Sequence, residues 1–365
     1  MQVKFNDLSR IHKLIKKDAL NSFSKIIEKN NYILGEEVLN FEKNFAKFTD
    51  SKYAISCANG TEAIELLLRA SKVDKNDEVL LPVNSFIATS IAVSRIGAKP
   101  VFFDCDEYYL SDVEDVKKKI TSKTKAIITV HLYGQMAHIN KIKEVAKNHN
   151  LVLIEDSAQA HGAKQQSNSP GKFSNGAAYS FYPGKNLGAW GDGGMVTTNK
   201  KSIKDKIVEL RNYGSDKKYI HNSFGFNSRL DTLQAIVLDK KLNYLDEWND
   251  ERNRIANYYL ENLSNNRKIT LPKLFHINKH TWHLFVVQVK NRKVFIEEMK
   301  NKGIECGIHY PIMISNQKMY KDHQQYKDTF KNSSGYEQNL VSLPIFPKMT
   351  KKEFEYVAKN INLIL

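Results

Sequence analysis

Cysteine is scarce in this chain. Its 365 residues include three, Cys57, Cys105 and Cys306, widely separated and odd in number. No Cys-x-x-Cys pair occurs, so neither a disulfide framework nor a zinc knuckle is indicated. The histidines do not fall at metal-ligand spacing either. His131 and His138 lie seven apart, without the acidic or cysteine partners of a familiar site, and no metal is expected. Long apolar runs are missing: none approaches the roughly 20 residues that span a bilayer. The opening segment MQVKFNDLSRIHKLIKKD lacks the apolar stretch of about 7–15 residues that marks a secretory signal. The expectation is a cytoplasmic protein with no membrane partner.

Acid is short relative to base. Forty acidic residues face 55 basic ones, for a net charge of +15. The lysines are dispersed in runs such as DVKKKITSKTK, NKKSIKDK and MTKKEF, alternating with acids as on solvated helix faces. No compact basic motif of a known nucleic-acid reader is present, so nucleic acid is not an expected partner. A positive field also attracts anionic, phosphorylated small molecules. Repeats and low-complexity segments are absent from the sequence.

What is there reads as a soluble α/β protein. Apolar residues make up 41% and charged residues 26%, and the length allows two domains. Apolar positions at helical spacing mark 18–30 and 35–49. Short apolar strands at 53–57, 78–81, 99–104, 125–130 and 151–154 then alternate with helices at 63–70, 87–95, 116–120 and 139–149. That alternation predicts a mostly parallel sheet with helices on both faces and right-handed crossovers. A helix at 202–211 and one long amphipathic helix at 233–259 follow. A strand at 283–289 and a helix at 292–302 then suit a smaller α+β domain. The predicted division is a large domain over 1–245 and a small one over 246–365.

Two stretches carry chemistry. SNGAAYSFYPGKNLGAWGDGGMVTT places Lys185 on a glycine-rich turn between two β-prone runs. Glycines let backbone and ligand come close there, and an amine of lowered pKa can form a Schiff base with a carbonyl. A surface hairpin with an ordinary lysine is the bland alternative. Upstream, the buried run LVLI ends in Glu155-Asp156-Ser157. Carboxylates at the end of a buried strand sit where open α/β sheets bind ligands, although Asp and Ser also cap helices. One carboxylate facing a pyridine nitrogen would keep it protonated. The small-residue turn at Asn59, Gly60 and Thr61 precedes a helix, which suits phosphate or an ordinary cap.

EDSAQAHGA followed by YSFYPGKNLGAWGDGG resembles the DegT/DnrJ/EryC1/StrS family of sugar aminotransferases. The resemblance runs over nearly the whole chain, from NDLSR to GIHYP and beyond. It implies a fold-type I enzyme dependent on pyridoxal 5'-phosphate. It makes Lys185 the Schiff-base lysine and Asp156 the partner of the pyridinium. Gly60, Thr61 and Ser180 would hold the cofactor phosphate. Phe86 would lie over the cofactor ring and Gln159 beside it. Asn227 would reach the phosphate of a partner subunit, which makes the active unit a homodimer with shared sites.

His309, Tyr310, Tyr182 and His131 would line the substrate pocket. The stretch HLYGQ at 131–135 resembles members that aminate C3, in deoxyamino-sugar biosynthesis for O-antigen or S-layer glycans. The implied substrates are thymidine-diphosphate-linked 3-keto-6-deoxyhexose and L-glutamate. A 4-keto sugar aminotransferase and a pyridoxal-phosphate sugar dehydratase are the alternatives, with a regulatory protein that keeps the fold as the non-enzyme rival.

Overall fold

The computed structural model describes residues 1–275, 277–321 and 329–365. A seven-stranded sheet forms the frame. Its strands are β1 (Tyr53–Cys57), β2 (Glu78–Pro82), β3 (Lys99–Phe103), β4 (Thr124–Val130), β5 (Val152–Asp156), β6 (Gly176–Ser180) and β7 (Gly194–Thr198). Across the sheet their order is β1-β7-β6-β5-β4-β2-β3. Only β7 runs against its neighbours. The others are mutually parallel because helical crossovers join them, as the alternating pattern predicts.

Helices cover both faces. Helices α1 (Ser9–Lys29) and α2 (Glu36–Phe48) precede the sheet. The crossovers carry α3 (Gly60–Ala70), α4 (Ala88–Arg95), α5 (Val113–Lys119) and α6 (Ile139–Asn148), and α7 (Lys201–Leu210) follows β7. One core packs Leu66 and Leu67 of α3 and Val93 of α4 against Ile55, Val79 and Ile128 of the sheet. Another packs Phe41 and Phe45 of α2 against Tyr179 and Phe181, with edge-on rings that suit aromatic quadrupoles. Several strands are buried along their whole length, which is why they read as continuous apolar runs.

The long helix expected over 233–259 is two helices, α8 (Thr232–Leu242) and α9 (Leu245–Leu263). Ala235 and Leu238 of α8 belong to the core beneath the sheet, whereas Ile255 and Tyr259 of α9 belong to a second core shared with the C-terminal elements. Leu245, the first residue of α9, still packs in the core of α8, so the break comes just before the chain leaves that core. The C-terminal part contains β8 (Phe285–Val289), α10 (Arg292–Asn301), β9 (Leu340–Leu343) and α11 (Lys351–Ile364). Strands β8 and β9 pair antiparallel. Thr350 and Glu353 form a reciprocal capping box at the start of α11. Val3 also lies in this core and bridges to Ile304, so the first residues pack with the C-terminal part. No helix among the described residues is long and apolar enough to cross a membrane.

Candidate active site

A cavity of about 770 Å³ opens at the C-terminal ends of the parallel strands. Its wall includes Gly60 and Thr61 after β1, Ser85 and Phe86 after β2, Asp156 at the end of β5, Ser180 at the end of β6, and Lys185. The sheet thus brings the turn at Gly60 and the turn at Lys185, far apart in sequence, to one cavity.

Glycine is required at position 60. A Cβ on Gly60 would stand 2.6 Å from Ser180 Cβ, so the helix start and the strand end could not meet. Helix α3 begins at Gly60, earlier than its apolar pattern suggests, because Asn59 caps it by accepting from Glu62 N at 2.9 Å. Gly60 and Thr61 thus form the first turn of α3. Their backbone N–H groups and the positive end of the helix lie on the cavity wall beside Ser180.

Asp156 ends β5 and is buried. Its Oδ2 accepts from Thr89 Oγ1 at 2.8 Å and its Oδ1 from Ala158 N at 3.1 Å. Burial pushes its carboxyl above the usual range, against the pull of those two donors. Thr89 escaped the sequence reading: it lies in α4, and its partner is 67 positions away. The helix after Phe86 is the available signal, since it points residue 89 back at the strand ends.

Glu155 precedes Asp156 on the same strand, and alternation turns it to the opposite face. There it takes His131, whose Nε2 lies 2.8 Å from Glu155 Oε2. His131 Nδ1 accepts from Ala137 N, and the ring is completely buried. The expectation that His131 lines the substrate pocket is therefore corrected: both its nitrogens are committed to the protein behind the cavity wall.

Lys185 sits on the turn between β6 and β7. Phe181 N donates to Gly193 O, and Ala189 N to Phe181 O, both at 2.8 Å. Leu187 and Ala189 are buried anchors. Asn186 Nδ2 donates to Asn249 Oδ1 and Thr281 O. A Cβ at Gly188 would meet Pro183 O at 2.2 Å, so the turn closes only with glycine. From α8, Lys241 Nζ donates to Gly188 O at 2.5 Å. The Lys185 side chain is half-buried, and its amine makes no hydrogen bond among the described residues. Burial lowers its pKa to about 8, and the field of Asp156 opposes that fall.

The remaining expected residues fall into two groups. Phe86, Gln159, Tyr182, His309 and Tyr310 line the cavity. Phe86 is 52% exposed, and its ring centroid lies 5.6 Å from that of Tyr310. Gln159 accepts from Tyr133 N at 2.7 Å and donates to Tyr310 Oη at 3.0 Å. His309 Nδ1 lies 2.8 Å from Ser342 Oγ. Asn227 is exposed and outside the cavity lining, on a segment bridged to Asn212. Sequence reasoning also missed Phe5, Asn6 and His283 on the wall, which come from distant parts of the chain.

The wall suits pyridoxal phosphate. Asp156 is a buried carboxylate with a raised pKa and no ion pair among the described residues, and an unbonded amine shares its cavity. A helix N-terminus with a serine hydroxyl offers an anion seat. Among the described residues no group of His, Cys, Asp and Glu is arranged to hold a metal ion.

These features define an α/β aminotransferase of the fold-type I, pyridoxal-phosphate-dependent class. The chain belongs to the DegT/DnrJ/EryC1/StrS aminotransferase family, whose profile matches residues 13–362. It is 44% identical over 361 residues to the dTDP-3-amino-3,6-dideoxy-alpha-D-galactopyranose transaminase of Aneurinibacillus thermoaerophilus, covering 99% of each chain. The fold is similar to that of S. venezuelae DesV in complex with a ketimine intermediate. That match has a TM-score of 0.97 at 35% identity and covers 99% of this chain and 98% of the other. NtdA from Bacillus subtilis, solved with bound cofactor PMP, gives a TM-score of 0.90 at 28% identity, covering 95% of this chain and 81% of that one.

Proposed function

We propose that the enzyme transfers an amino group from L-glutamate to a thymidine-diphosphate-linked 3-keto-6-deoxyhexose, giving the 3-amino-3,6-dideoxyhexose. The observation that carries this reading is the meeting of an unbonded Lys185 amine and a buried Asp156 in one cavity, in a chain similar throughout to a dTDP-3-amino-sugar transaminase.

Pyridoxal phosphate, when bound, supplies a carbonyl for the amino group and a ring that accepts the electron pair left by a lost proton. Gly60, Thr61 and Ser180 would hold its phosphate, and Asp156 its ring nitrogen. The buried Asp156 carboxylate favours a positive charge at that nitrogen, and Thr89 keeps the carboxylate oriented. Lys185 Nζ takes and returns the proton at the reacting carbon. A pKa of about 8 leaves both protonation states populated near neutral pH, which suits a group that must do both. Phe86 and Tyr310 cover the reacting region and exclude water. His309, Tyr310 and Tyr182 bind the sugar.

Asn227 serves a second subunit in this reading. It lies outside the lining of its own cavity, and Tyr219 and Phe224 nearby leave their rings in solvent. Exposed aromatic groups of that kind suit a twofold interface. Sedimentation at low concentration tests the dimer, and a fully active monomer would refute it. The substrate is tested by offering 3-keto and 4-keto thymidine diphosphate sugars with glutamate. Faster amination of the 3-keto isomer, located by NMR of the product, is expected; faster amination of the 4-keto isomer overturns the regiochemistry.

A further inference from the structure

The N-terminal segment is fastened over the cavity. Val3 N donates to Gly303 O at 2.8 Å, and Glu305 N to Val3 O at 2.9 Å. Phe5 N donates to Glu305 Oε2 at 3.1 Å. On the other side, Asp7 accepts from Ser9 N and from Arg10 Nε, and Arg10 bonds both carboxylate oxygens of Glu353. Between these anchors, the Phe5 ring stacks on His309 with centroids 5.7 Å apart and planes at 20°.

Asn6 lies in the middle of this segment and on the cavity wall. Its Oδ1 is buried without a hydrogen-bond partner, and its amide makes no hydrogen bond among the described residues. The oxygen is enclosed, so the amide nitrogen, which is not enclosed and has no partner among the described residues, is the atom open to a ligand in the cavity. His309 and Tyr310, which face the same cavity, each hold one protein partner, Ser342 and Gln159, whereas the Asn6 side chain holds none among the described residues. An amide carries no charge. It suits a neutral hydroxyl, which can accept from its N–H₂, better than a diphosphate. The phosphate-binding features lie instead at the start of α3.

We propose that Asn6 hydrogen-bonds a ring hydroxyl of the sugar and selects substrates that carry it. This rests on the nucleotide-sugar reading above. The segment is anchored on both sides, so the amide meets the hydroxyl without a reordering cost. A sugar lacking that hydroxyl leaves the amide unpaired and is rejected.

The test compares wild type with Asn6→Ala and Asn6→Asp. The ligands are the dTDP-3-amino-3,6-dideoxyhexose and its 2-deoxy and 4-deoxy analogues, with affinity read by calorimetry and kcat/KM measured on the matching ketones. Asn6→Ala should weaken binding and lower kcat/KM about tenfold for the fully hydroxylated sugar, and leave one deoxy analogue unchanged. Asn6→Asp, which lacks the N–H₂ donor, should not recover the loss. The glutamate half-reaction, followed by cofactor absorbance, should not change. Equal losses on all three sugars, or a slowed glutamate half-reaction, would overturn the assignment alone. If wild type neither binds nor aminates any of these sugars, the nucleotide-sugar reading fails and the Asn6 assignment falls with it.

Discussion

Thr89→Val is the sharpest probe of how the site is built. The substitution keeps the branched shape and removes the hydroxyl that donates to Asp156 Oδ2 at 2.8 Å. Ser85 Oγ, 2.9 Å from Thr89 Oγ1, loses a partner as well. A hydrogen bond to a charged group contributes about 1.5–3 kcal/mol. Asp156 has two donors in its buried setting, so losing one leaves the carboxylate half-served. The loss falls on the charged form, and the sign follows. Burial already raises the folded pKa of Asp156, so its contribution to stability is full below the unfolded carboxyl value and is lost as pH rises through the folded value. Thr89→Val raises the folded value further. Cofactor-free Thr89→Val should therefore show a larger deficit against wild type at a pH of about 7.5 than at about 4.5, by chemical denaturation. Retention of pyridoxal phosphate should fall by roughly 10–100-fold, since the misplaced carboxylate no longer balances the ring cation. Thr89→Ser, which restores the hydroxyl, should recover most of both effects. A deficit equal at both pH values, with unchanged cofactor retention, would show that the Thr89 hydroxyl does not hold the Asp156 carboxylate.

Gly60→Ala should lower cofactor affinity more than it lowers stability, because its Cβ collides with Ser180 Cβ on the cavity wall, where the phosphate is proposed to sit. Overpacking of that kind costs about 1–3 kcal/mol, and equilibrium dialysis against denaturant midpoints separates the two losses. The Lys185 amine of the cofactor-free protein should titrate at about 8, so an amine-directed acylating reagent should modify it with a midpoint there, well below the surface lysines. Asn227→Ala should weaken cofactor retention without shifting the unfolding midpoint, since the side chain is exposed.

The sequence made some of this legible and hid the rest for definite reasons. Alternating apolar runs and helices revealed the parallel sheet because burial on both faces leaves a continuous apolar signature. The turn that carries Lys185 and the strand end that carries Asp156 were legible because glycine-rich turns and strand-end carboxylates are local patterns. Thr89 and Asn6 were not, since their positions depend on which strand lies beside which and on how residues 3–10 fold back onto the C-terminal part. His131 was misplaced by the same gap. A strand-end position does not reveal the face a side chain takes, and here Glu155 claims it. The break between α8 and α9 stayed hidden because both halves carry apolar positions at helical spacing.

Lys185 is expected to carry the cofactor covalently. Reducing the pyridoxal-phosphate-loaded protein with borohydride, then digesting and mapping it, tests this most directly. A single tagged peptide modified at Lys185 is the expected result, with Lys185→Ala giving no tag. A stable tag on any other lysine, or retention of the tag in Lys185→Ala, would contradict it.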